Sequence, residues 1–163
     1  MKVEARLCTY RYYSRVAHIF VKSSNTNPEG NFKMTYVIFQ RNLTSDQLEA
    51  INKNSTSTLA KAYFGLMFPN DSNAQERVNA ALSAGLYEKT MLIGATDGLS
   101  VTLEQLFDAG NGYPSVGVNV VDLAGHSSVS VGDIAVSLLD DGAYLCMPMG
   151  WHVLDMELRL SLT

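Results

Sequence analysis

Apolar and polar residues alternate at the start of this chain and again near its end, and between the two the period lengthens to that of helices. Val3, Ala5 and Leu7 alternate with Lys2, Glu4 and Arg6, as in a half-buried strand. The runs 18–21 and 34–39 are rich in β-branched and aromatic residues, which pack well on a pleated surface. Strands are therefore expected over 3–22 and 32–41. The cluster 23–31, with Pro28 and Gly30, reads as a turn, and the simplest pairing is an antiparallel hairpin across it.

The middle of the chain reads as short helices. Thr44 and Gln47 have capping-box spacing, and Leu43 with Leu48 has the spacing of a hydrophobic staple, with Leu48 and Ile51 expected inward. Leu59, Ala62, Tyr63, Leu66 and Met67 recur at i, i+3, i+4, i+7 and i+8, a core-facing stripe that stops before Pro69. Ser72 with Gln75 suggests another capping box, ahead of Val78, Ala81 and Leu82 and a stop at Gly85.

Beyond Gly85 strands return. A strand is expected over 86–96 and a short helix from Thr102, with Leu103, Leu106 and Phe107 inward and Gly110 closing it. The stretch 110–117 is glycine-rich loop, and Val116, Val118 and Val120 alternate like a strand. Asp133 to Leu139 and Ala143 to Met147 flank Asp140-Asp141-Gly142, a hairpin signal because a tight Asp-Gly turn accepts positive φ. A last strand is expected over 153–160. The expected fold is α+β, with antiparallel strands at both ends packed against a central group of short helices. It divides into a strand-hairpin and helical region over 1–85 and an α+β region over 86–163, together one compact unit.

Composition narrows the class. Apolar residues make up 47% and charged residues 17%, which excludes a disordered chain. No apolar run approaches the roughly 18 residues of a membrane span, and the charged, alternating N-terminus is unlike a signal peptide. The expectation is a cytoplasmic protein with no membrane partner, whose Cys8 and Cys146 are reduced thiols in strands. Charge is uneven: residues 1–85 carry ten Lys/Arg against six Asp/Glu, and residues 86–163 carry two against ten. Such a split marks a partner surface or an attraction between the halves, within one molecule or a homo-oligomer.

One ordered set of elements carries a resemblance. Leu86-Tyr87-Glu88-Lys89 leads a strand towards Leu99. Leu103-Glu104-Gln105-Leu106-Phe107 is a short helix ending near Asn111. After a variable loop come Gly125-His126-Ser127-Ser128-Val129-Ser130-Val131-Gly132-Asp133 and finally Gly150-Trp151. Residues 86–155 resemble the YodL-like family of small accessory proteins encoded by phages and plasmids. The resemblance implies a non-enzymatic protein that binds a host protein, in counter-defence or host takeover, by steric occlusion. Residues 1–80 bring no such likeness. Within the motif Ser128 and Ser130 can bond neighbouring amides, Gly132-Asp133 suits a sharp turn into a strand, and Gly150-Trp151 suits a hairpin base.

Candidate chemistry is thin. His126, Ser127 or Ser130, and Asp133 supply the residue types of a nucleophilic triad, but sequence neighbours seldom converge and no Gly-x-Ser-x-Gly elbow is present. A small enzyme or ligand-binding domain around His126 and Asp133 is the weakest reading. His18, His126 and His152 are scattered, no calcium loop or P-loop occurs, and no cofactor is expected. Two surfaces stand out. Arg11 and Arg15 flank Tyr12-Tyr13 in a basic region that could pair phosphates and stack bases, the basis of an alternative nucleic-acid-binding reading. Asp140, Asp141 and Trp151 mark an acidic closing hairpin suited to a protein partner.

Overall fold

The computed structural model describes residues 33–96, 99–125, 127–140 and 142–155. The strand expected over 3–22, with Cys8, Arg11, Tyr12, Tyr13, Arg15 and His18, lies outside the described residues. So do Asp97, His126, Asp141 and the last strand's expected continuation past residue 155.

Among the described residues six strands form one antiparallel sheet. They are β1 (Lys33–Arg41), β2 (Tyr87–Ala95), β3 (Val118–Asp122), β4 (Ile134–Ser137), β5 (Ala143–Cys146) and β6 (Trp151–Leu154), in the order β3-β2-β1-β4-β5-β6. Four helices accompany them: α1 (Ser45–Lys53), α2 (Thr58–Gly65), α3 (Ala74–Ser83) and α4 (Leu103–Gly110). The class is α+β, with strands at both ends of the described chain around central helices.

β1 sits mid-sheet, antiparallel to β2 on one side and to β4 on the other. Residues 36–39 have both edges occupied, and the turn and first strand of the hairpin expected across 23–31 lie outside the described residues. A strand buried on both faces needs apolar side chains at successive positions, and residues 35–40 are all buried. Val37, Phe39, Leu92 and Val136 face Ala62 of α2, Leu66 just beyond it, and Val78 and Ala81 of α3. Ile38, Met91, Ile93 and Ala135 face the other way, towards Leu106 and Ala109 of α4 and towards Val129. Fully burying a side chain such as Ile38 or Ile93 contributes roughly 1.5–3 kcal/mol.

The helix ends show local chemistry at work. Thr44 and Gln47 make a reciprocal capping box at α1, and Thr102 and Gln105 make another at α4. Ser57 Oγ caps α2 by accepting from Ala60 N. Arg77 Nη1 closes that helix from outside, donating to the carbonyls of Gly65 and Phe68 at 2.5 and 2.6 Å. Three expectations need correction. Ser72 does not cap α3: its hydroxyl donates to Asn70 Oδ1, and Asn73 Oδ1 accepts from Asn70 N, so both side chains serve the preceding turn. Leu48 is 50% exposed, because α1 rests chiefly on α2 and buries Ile51 alone. Phe107 is 39% exposed, flanking the Leu106–Ala109–Gly110 face that touches the core.

Candidate functional site

Three strands converge on the serine motif. β1 ends in Gln40 and Arg41, whose side chains leave opposite faces of the strand. Gln40 is buried and reaches 127–133, the segment that enters β4. Its Nε2 lies within donating distance of Ser127 O (3.0 Å), Ser128 O (3.2 Å) and Asp133 Oδ2 (2.9 Å), and its Oε1 accepts from Ser127 N at 3.2 Å. Arg41 Nη2 donates to Val131 O at 2.9 Å, and its guanidinium carbon stands 5.7 Å from the Tyr63 ring centroid. Tyr87, opening β2, donates its hydroxyl to Gly132 O at 2.7 Å.

The turn also bonds to itself. Asp133 N donates to Ser130 O, and Ser130 N returns a bond to Asp133 Oδ2 at 2.9 Å. Gly132 N donates to Cys146 O, and Cys146 N donates to Asp133 O, which fixes the turn to β5. Gly132 has φ +93°, and a Cβ there would sit 2.8 Å from Leu66 O and 3.2 Å from Arg41 Nε. Only glycine suits that conformation and that approach. Val129 is buried between sheet and α4, where it presses against Gly110, and Asn111 Nδ2 donates to its carbonyl.

Asp133 is 2% exposed. Burial raises its pKa above the ordinary carboxylate value, opposed by the Gln40 bond, the Ser130 amide and the Arg41 charge. Burial likewise raises the Tyr87 hydroxyl far above its usual range and pushes the Cys146 thiol up to about 11, with the Asp133 charge adding to the latter. The motif places the Ser130 hydroxyl 3.5 Å from Asp133 Oδ2. That oxygen already accepts from Gln40 and Ser130 N, so this carboxylate is a hydrogen-bond hub held away from solvent rather than a free base. His152, the imidazole described near the C-terminus, lies elsewhere, with Nδ1 3.0 Å from Asp71 Oδ1.

The closing hairpin is a separate arrangement. Ser137 Oγ accepts from the amides of Leu139 and Asp140, Asp140 Oδ1 accepts from Gly142 N, and Tyr144 donates to Asp140 Oδ2 at 3.4 Å. Hydrogen bonding of the Ser137 side chain to the Asp140 carboxyl, foremost, and of Gly142 N holds this exposed carboxyl below its ordinary pKa. The β5–β6 connection closes with Met147 N donating to Gly150 O, where Gly150 has φ +75°. Trp151 then packs, partly buried, against the face that α4 shares. Asp140 and Trp151 both belong to the β4–β5–β6 meander, whereas Ser128, Ser130, Gly132 and Asp133 form the clamp at its entry.

Gln40, Arg41 and Tyr87 carry the clamp; Tyr87 stands in the Leu86–Lys89 run of the sequence, but none of the three is marked there as a site residue. One signal was visible: a Gln-Arg pair directly follows the apolar run 36–39, inside a strand that is otherwise core. Among the described residues no group of three or more His, Cys, Asp or Glu comes together as a metal site, and no helix is long and apolar enough to cross a membrane. No family model, curated protein or solved structure matches this chain.

Proposed function

We propose that this chain is a non-enzymatic binding protein that acts by occupying a surface of a partner protein. The observation that carries this reading is the commitment of Asp133: buried, with Oδ2 accepting from Gln40 Nε2 and from Ser130 N. Among the described residues this carboxylate is bonded to an amide side chain and a backbone amide, and it orients no base. The serine motif then serves as scaffolding, which holds the β4–β5–β6 meander in one shape and preorganises its outer surface. The resemblance to YodL-like proteins supports a host protein as the partner and a phage or plasmid setting, with counter-defence or host takeover as the outcome.

The test is expression of the tagged chain in a bacterial host, followed by affinity purification and mass spectrometry. A single host protein retained in stoichiometric amount is the expected result. Co-purifying nucleic acid, released steeply by salt and lost in Arg11→Glu/Arg15→Glu, would replace this reading with the nucleic-acid one. Hydrolytic turnover abolished by Ser130→Ala would overturn it in favour of an enzyme.

A further inference from the structure

We propose that Asn111 is a self-modification site: it deamidates spontaneously, at a rate set by how firmly the end of α4 stays docked on Val129. Asn111-Gly112 is the sole Asn-Gly pair in the sequence. Glycine carries no Cβ, so its amide nitrogen approaches the preceding side chain with least hindrance. The chemistry needs only water. The Gly112 nitrogen attacks Asn111 Cγ, a C–N bond forms, and the Cγ–Nδ2 bond breaks. The proton lost from Gly112 N leaves with Nδ2 as ammonia. Water then opens the cyclic imide at either carbonyl, giving aspartate or isoaspartate.

The fold restrains both reacting groups. Asn111 directly follows α4, and Gly112, with φ +87°, turns the chain away from the helix. Gly112 N donates to Ala109 O at 3.1 Å, and Tyr113 N donates to Asp108 O at 2.9 Å. Asn111 Nδ2 donates to Phe107 O at 2.8 Å and to Val129 O at 3.2 Å. The nucleophile and the leaving amide are thus each held by carbonyls. Cyclisation requires these bonds to open, so it proceeds from the frayed end of α4 and not from the docked one. Helix ends are among the places where local opening costs least. Gly112 is exposed and Asn111 is half-buried, so water reaches the junction.

The product no longer fits. An ionised aspartate is an acceptor only, and at 111 it would face the carbonyls of Phe107 and Val129 that the amide now satisfies. Its charge would also stand at the C-terminal end of α4, where the helix dipole disfavours an anion. Val129 packs against Gly110 in the segment that Gln40, Arg41 and Tyr87 hold from β1 and β2. Reaction at Asn111 therefore loosens the other anchor of the serine motif. Loss of ammonia makes the change run one way.

The test incubates the purified chain at mildly alkaline pH, folded and in denaturant, and follows position 111 by peptide mass spectrometry. Deamidation at 111 is expected in both, about tenfold or more slowly in the folded chain. Val129→Ala loosens the docking and leaves the Asn-Gly pair intact. Folded Val129→Ala, checked by circular dichroism, should react several-fold faster than folded wild type. If that variant does not fold, the ratio of folded to denatured rates in the wild type decides. Asn111→Gln, whose longer side chain disfavours the small imide ring, should stay unmodified at 111. Asn111→Asp places the product in advance and should melt about 2–4 °C below wild type. The proposal is overturned by an unmodified Asn111 in the folded chain, by equal rates folded and denatured, by a wild-type rate in folded Val129→Ala, or by Asn111→Asp melting at or above wild type.

Discussion

The chain enters β4 through residues fixed by other strands and leaves it through residues that fix one another. At the entry, Gln40, Arg41 and Tyr87 reach across from β1 and β2 to hold the segment 127–133. At the exit, Ser137, Asp140, Gly142 and Tyr144 bond within a few positions of each other. The entry turn buries Val129, Gly132 and Asp133 and is held by long-range bonds, whereas the exit turn exposes Leu139 and Asp140 and is held by local ones. A local turn forms from its own residues and costs little if one bond fails. A clamp drawn from distant strands forms only once the sheet is assembled, and losing one member strands buried polar groups. The entry turn should therefore behave as part of the core, and the exit turn as surface.

Gly132→Ala is the sharpest way to break the entry turn. Its Cβ would meet Leu66 O, and the turn cannot easily shift, because Gly132 N and O are both bonded. Strain and collision together should cost about 3 kcal/mol or more in denaturant unfolding. Gln40→Leu comes next, leaving a buried carboxylate and two serine carbonyls without their donor, at about 2–4 kcal/mol. A loss under about 1 kcal/mol in either variant would mean that the clamp is no part of the core.

Acidity distinguishes the turns by sign. Burial raises Asp133 in the folded protein, so the folded state holds that proton more tightly than the unfolded chain does. Its contribution is fully present below the ordinary carboxylate pKa of about 4, and is lost as pH rises through the raised folded value. Asp133→Asn removes this dependence. The stability of wild type relative to that variant should fall as pH rises from about 4 towards neutrality, measured by unfolding at several pH values. A difference that rises with pH instead would mean that the Gln40 and Ser130 bonds outweigh burial at this carboxyl.

These differences also explain what the sequence could disclose. β1, the capping box at Thr44, the helix start at Thr102 and the Asp140–Gly142 hairpin rest on neighbours a few positions apart, and all were legible; the box at Thr102 has the same spacing but was not read. The central place of β1 was not, because its partners β2 and β4 lie far along the chain and alternation does not say which strands pair. Ser128, Ser130, Gly132 and Asp133 stood out as a motif, but their partners Gln40, Arg41 and Tyr87 lie 45 to 93 positions away and follow no spacing rule. Leu48 and Phe107 fit a helical stripe, but each helix here is narrow in its contact, and periodicity does not say how wide the neighbouring surface is.

Asp140→Ala should give the smallest effect and completes the comparison. Its carboxylate bonds Gly142 N and Tyr144 from an exposed position, and these bonds compete with water, so the loss at neutral pH should stay under about 1 kcal/mol. The direction with pH should reverse that of Asp133. Asp140 is held below the ordinary carboxylate pKa, so its contribution is present above that value and is lost as pH falls through the depressed folded one. Wild type and Asp140→Ala should therefore converge in stability as the solution is acidified, while wild type gains on Asp133→Asn over the same change. Divergence of Asp140→Ala from wild type in acid, or a loss at neutral pH as large as that of Gln40→Leu, would show that the exit turn is also bound into the core and that the two turns do not differ in kind.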